Sequence, residues 1–66
     1  MKNKLKVARA EANLSQADLA ERIGVSRQTI NSIETGRYVP STVLALKLAA
    51  VFAQPVEVLF SLEETD

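Results

Sequence analysis

Four side chains within one short stretch have the types and the spacing to read the edges of base pairs. Wound at about 100° per residue from Arg27, the stretch gathers Arg27, Gln28, Asn31, Ser32 and Thr35 on one arc and sets Ile30 and Ile33 opposite. Arg can bond guanine O6 and N7 in two prongs, Gln and Asn can bond adenine N6 and N7, and Ser can bond either. No acidic residue lies on this arc. Taken alone, the same pattern also describes an amphipathic helix with a solvated polar face, so the surrounding elements must decide between the two.

Other chemistries have little to work with. The 66 residues contain neither Cys nor His, which excludes disulfides, zinc fingers, thiol catalysis, Ser-His-Asp triads and imidazole switches. Scattered carboxylates on one small domain do not make a catalytic pocket, so no enzyme, cofactor or metal is expected, and without a second domain no small-molecule ligand either. At 47% hydrophobic and 24% charged, the chain is globular and not disordered. No apolar run approaches the roughly 18 residues of a membrane span, and the start Met1-Lys2-Asn3-Lys4-Leu5-Lys6 lacks the apolar block of a signal peptide, which points to a cytoplasmic protein. Net charge is zero but unevenly spread. Residues 1–37 carry seven Lys or Arg against four acids, while residues 38–66 carry Lys47 against four acids. A basic front of this kind can face a polyanion.

Helix punctuation recurs along the chain and period-two alternation is missing, so the domain is expected to be all-α with five helices. The first helix is expected over about residues 3–12, with Leu5, Ala8 and Ala12 on one face and Arg9 among them, followed by a turn at Asn13-Leu14. Ser15 caps the second, and Asp18 three residues on completes a capping box before Leu19, Ala20 and Ile23. Gly24 ends it in the left-handed conformation, Ser26 caps the third helix and Gly36 closes that one. Tyr38-Val39-Pro40 is an extended connector, Ser41 caps a fourth helix over residues 42–53, and Pro55 suits the first position of a short fifth helix ending near Phe60. Residues 61–66 read as an acidic tail or a short strand.

Residues 14–36 strongly resemble the Xre/Cro-type helix-turn-helix regulators, the lambda and 434 repressor and Cro class. Ser15-Gln16-x-x-Leu19-Ala20, Gly24-Val25-Ser26-Arg27-Gln28-Thr29-Ile30 and Ile33-Glu34-x-Gly36 occur together at the right separations, and the likeness extends over residues 4–60. Within that class, the chain length and the connector Arg37-Tyr38-Val39-Pro40-Ser41 look most like the small stand-alone dimeric regulators of the cytolysin-repressor kind. The resemblance implies a lambda-repressor-like domain in which the second and third helices, about residues 15–36, form the helix-turn-helix. It implies that Arg27, Gln28, Asn31 and Ser32 face the major groove of double-stranded DNA, and that Gln16 clamps a phosphate and braces Gln28. Thr29, Arg37, Tyr38 and Lys6, together with Lys2 and Lys4, are candidates for phosphates, where they would add affinity without sequence information.

Arg9, on the apolar side of its helix, needs a carboxylate partner, and Glu34 at the edge of the apolar face beside Ile30 supplies one; the family has an arginine-glutamate pair at the matching positions. The fourth helix has more apolar surface than one domain uses. Leu44, Ala45, Leu48, Ala49 and Phe52 make a core face, while Val43, Leu46, Ala50 and Ala53 lie opposite, and Val58 adds to the excess. A twofold homodimer through Val43, Leu46, Ala50 and Val58, in a region of about residues 42–60, is therefore expected. Two copies would read a palindromic operator with half-sites about 34 Å apart, and the expected function is transcriptional repression. The alternative is a protein-interaction module, an antitoxin or adaptor, in which the apolar face binds a different protein and DNA binding is secondary.

Overall fold

The computed structural model describes all 66 residues as β1 (Lys2–Asn3), α1 (Leu5–Glu11), α2 (Gln16–Ile23), α3 (Arg27–Glu34), α4 (Thr42–Phe52), α5 (Val56–Leu59) and β2 (Phe60–Ser61). Five helices make the domain, and the strands form a single antiparallel pair in which Lys2 faces Ser61 and Asn3 faces Phe60.

Local chemistry sets the helix boundaries around the helix-turn-helix. Ser15 Oγ accepts the Asp18 amide at 2.9 Å, while the Ser15 amide donates to Asp18 Oδ2 at 3.0 Å, closing a reciprocal capping box at the start of α2. Gly24, at φ +75°, ends α2 in the left-handed region that a side chain disfavours, and the next amide, Val25, returns to the Ala20 carbonyl at 3.0 Å. Ser26 then caps α3 by accepting from the Thr29 amide at 3.1 Å, and Ser41 caps α4 by accepting from Leu44 at 3.2 Å.

The chain ends differ from the sequence expectation. The first helix starts at Leu5 and not at residue 3, because Asn3 Oδ1 accepts the Leu5 amide at 3.1 Å and so turns the chain ahead of the helix. Ala12, expected on the buried face, is exposed beyond the last turn. Pro55 is the cap of α5 and not its first residue: its backbone is extended, at ψ 150°, and the helix begins at Val56. The acidic end is not a free tail: the short strand, the other expectation, forms at its start over Phe60–Ser61. Ser61 pairs with Lys2, and beyond it a turn held by the Glu63 amide on Asp66 Oδ2 at 2.8 Å brings Glu63 and Asp66 to the Met1 ammonium, at 3.3 and 3.2 Å.

The core lies between all five helices and β2. Leu5, Leu19, Ile30, Ile33, Leu48 and Leu59 are fully buried, one or two from each helix, and each such side chain stabilises the fold by about 1.5 to 3 kcal/mol relative to exposure. α2 packs most extensively on α3, and α4 closes the other side of α2, so the position of α3 is fixed by its inward face.

Candidate nucleic-acid interface

The seat of α3 is apolar and its outer face is polar. Ile30 and Ile33 are buried, while Arg27, Gln28 and Asn31 are exposed and Ser32 is half-buried. Gln16, Arg27, Gln28 and Asn31 line one open concavity, so the start of α2 and the outer face of α3 form a continuous surface. Gln28 also borders a second concavity, with Ser26, Thr29, Ser32 and Tyr38. Tyr38 arrives there because the Ser32 carbonyl accepts both the Arg37 amide at 2.9 Å and the Tyr38 amide at 3.1 Å, folding the connector back along α3. The Thr29 hydroxyl is shared with Ser26 Oγ at 2.9 Å.

Charge on this surface is one-sided. Arg27, Arg37 and Lys6 are exposed and make no ion pair, and the nearest acid on α3, Glu34, is turned inward with its side chain only 5% exposed. In the first turns of α2 and α3 the Asp18 and Thr29 amides are taken by the Ser15 and Ser26 caps, which leaves the amides of Gln16, Ala17, Arg27 and Gln28 at the positive end of each helix dipole, a geometry that suits phosphate oxygens. Lys2, by contrast, shares its concavity with Glu63 and Glu64, so its charge is locally offset.

Beneath the surface lies a polar relay. Arg9 Nε donates to Glu34 Oε2 at 2.8 Å, its Nη2 donates to Oε1 at 3.3 Å, and its Nη1 donates to the Leu14 carbonyl at 2.8 Å. The hydrogen bond to Glu34 holds the guanidinium pKa above its already high ordinary value. Glu34 Oε1 also accepts from Gln16 Nε2 at 3.1 Å, and the same nitrogen donates to Asn31 Oδ1 at 3.2 Å. Gln16 thus braces Asn31 and makes no hydrogen bond to Gln28, because both of its amide hydrogens are taken by acceptors further along α3, Asn31 and Glu34. That commitment leaves the Gln16 side chain without a free donor for a phosphate. No buried side-chain polar atom lacks a partner.

One positioning residue escaped sequence reasoning. Asn3 Nδ2 donates to the Ile33 carbonyl at 2.9 Å, tying β1 to the last turn of α3. The available signal was an Asn immediately ahead of a helix, a residue type that bonds nearby backbone.

On α4, Leu44 and Leu48 are buried and Ala45, Ala49 and Phe52 are half-buried, whereas Val43, Leu46 and Ala50 are exposed, with Val58 of α5 half exposed. Val39, in the connector, is exposed as well. No helix is long and apolar enough to cross a membrane, and no group of acidic side chains is placed to hold a metal ion.

The profile of the helix-turn-helix family HTH_3 matches residues 5–59. The chain is 53% identical, over the whole length of both proteins, to an uncharacterised HTH-type transcriptional regulator of Methanocaldococcus jannaschii. It is 52% identical over 64 residues, 97% of each chain, to the uncharacterised HTH-type transcriptional regulator YgzD of Bacillus subtilis. Among solved structures it is similar to the restriction-modification controller protein C.AhdI of Aeromonas hydrophila, with a TM-score of 0.77 and 34% identity over 85% of each chain.

Proposed function

Because the chain belongs to the helix-turn-helix family, we propose that this DNA-binding regulator of transcription occupies a palindromic operator as a homodimer and acts by repression. The family is one of DNA-binding regulators and not of enzymes. The observation that carries the finer reading is the outer face of α3, where Arg27, Gln28 and Asn31 stand exposed over the buried Ile30 and Ile33 with no free acid among them.

In this reading Arg27, Gln28, Asn31 and Ser32 meet base edges in the major groove. Arg37, Tyr38, Lys6 and Thr29 flank them on the backbone, and the start of α2 receives a phosphate through its unpaired amides, with Gln16 packed over it. The exposed residues Val43, Leu46, Ala50 and Val58 cover one another across a twofold axis. A palindromic site read on successive major-groove faces asks for two α3 helices about 34 Å apart. Repression in this reading is by occupation of DNA that polymerase must enter.

Selection of the purified protein against random duplex DNA tests this reading. A palindromic winner bound at least about a thousandfold tighter than its scramble at near-physiological salt supports it. Enrichment of nothing, with weak and salt-sensitive binding only, overturns it and favours the protein-interaction alternative, in which the α4 face binds a different chain.

A further inference from the structure

Resting on that reading of α3, we infer that Thr35 is a specificity-determining residue. It offers the major groove its methyl group and not its hydroxyl, and selects thymine at one position of each half-site through the thymine C5-methyl.

Thr35 is exposed, and winding at about 100° per residue sets it near the middle of the arc formed by Arg27, Gln28, Asn31 and Ser32. Along the chain it stands between the base-edge residues Asn31 and Ser32 and the backbone-flanking Arg37 and Tyr38. Gly36, at φ +79°, makes the turn that joins the two groups, and the Ser32 carbonyl holds it by accepting the Arg37 and Tyr38 amides. α3 is short: about 12 Å separate Arg27 from Thr35, so both ends of the arc fit within three or four base-pair steps of one groove.

The Thr35 hydroxyl is already committed. Its Oγ1 donates to the Asn31 carbonyl at 2.9 Å, with the Ser32 carbonyl at 3.3 Å. The single hydroxyl hydrogen is thus used within α3, and the oxygen is held against two carbonyl oxygens of its own helix. The methyl has no such tie. It is also the only methyl on the arc, since Arg27, Gln28, Asn31 and Ser32 all end in polar groups. Those four read hydrogen-bonding edges. The C5-methyl of thymine is the one apolar projection that the bases present in the major groove, and a threonine methyl is among the groups that contact it.

The test uses the operator selected by the wild type, with its thymines replaced one at a time by deoxyuridine, which removes the C5-methyl alone. Wild type, Thr35→Ser and Thr35→Val are titrated against each duplex, with folding checked by circular dichroism. For the wild type, one thymine of a half-site is expected to lose about fourfold in affinity when replaced, the worth of one buried methyl. At that position Thr35→Ser, which keeps the hydroxyl and lacks the methyl, is expected to bind thymine and deoxyuridine equally. Thr35→Val, which keeps a methyl and lacks the hydroxyl, is expected to retain the discrimination. A half-site with no such thymine, discrimination that survives in Thr35→Ser, or discrimination lost in a folded Thr35→Val overturns the proposal and leaves the operator reading intact. A wild type that enriches no site overturns the operator reading, and this proposal with it.

Discussion

Arg9 of α1 and Glu34 of α3 meet in two parallel prongs, at 2.8 and 3.3 Å, with side chains 16% and 5% exposed. A planar guanidinium on a carboxylate in a site this sheltered is a strong geometry, and it joins the first helix to the far end of the helix that carries the polar arc. Removing one member leaves the other charge in a poorly hydrated place. Glu34→Ala is expected to cost about 2 to 4 kcal/mol in urea unfolding, less than for a wholly buried pair because Arg9 keeps some water. The double substitution Arg9→Met with Glu34→Leu is expected to recover most of that loss, and a double variant as unstable as the single one would count against the assignment.

Asp18 ties part of the domain's stability to pH. The Ser15 amide, with the Ser15 hydroxyl next and Arg22 adding a little, holds its carboxyl below the ordinary value of 3.8. Because the folded state favours the charged form, the contribution is complete above the ordinary carboxylate range and disappears as pH falls through the lowered value. Asp18→Asn is therefore expected to lower Tm near neutral pH and to show a narrowing gap from the wild type on acidification. A gap that stays constant with pH would rule out the carboxylate as its source.

Asn3 serves two masters, accepting from the Leu5 amide and donating to the Ile33 carbonyl. Asn3→Ala is expected to destabilise the domain by about 1 to 2 kcal/mol in chemical denaturation. Amide exchange should quicken at Leu5 and across β1. An effect confined to Leu5 would show that the tie to α3 contributes nothing.

Base-edge and phosphate contacts differ in what their loss changes. Gln28→Ala is expected to relax base preference and cost about 1 to 3 kcal/mol on the preferred site, whereas Arg37→Ala weakens all sequences alike and flattens the salt dependence. Titration of matched and scrambled duplexes separates the two, and a Gln28→Ala protein with unchanged preference would contradict its placement in the groove.

For the proposed dimer, Leu46→Glu places a charge at the centre of the exposed α4 face without touching the buried Leu44 and Leu48. Sedimentation is expected to show a folded monomer with weakened operator binding. A variant that still sediments as a dimer would move the interface elsewhere.

The parts legible in the sequence are those written in local chemistry. Ser15 with Asp18, Gly24, Ser26 and Ser41 each mark a boundary through a bond or a backbone angle that one or two residues control. An arginine on the buried side of a helix demands a carboxylate, and Glu34 was the interior-facing choice. The parts that escaped depend on distance. Two-residue strands cannot display alternation, so Lys2–Asn3 does not read as a strand and Asn3 falls within the expected first helix. The bond from Gln16 to Asn31 in place of Gln28 depends on the crossing of α2 and α3, which residue spacing within either helix does not contain. Pro55 fits the cap and the first helical position equally well, since its fixed φ suits both.

The pairing of Lys2 with Ser61 brings a temporal order with it. Every helix here can close on its neighbour across a short loop, but that pair must close nearly the whole chain for very little buried surface. Its entropic cost is therefore met only after the helices have docked. The seam is thus expected to be absent from the folding transition state. Weakening it should hasten unfolding while leaving the folding rate unchanged, so the ends of the chain govern how long the native domain lasts and not how quickly it forms.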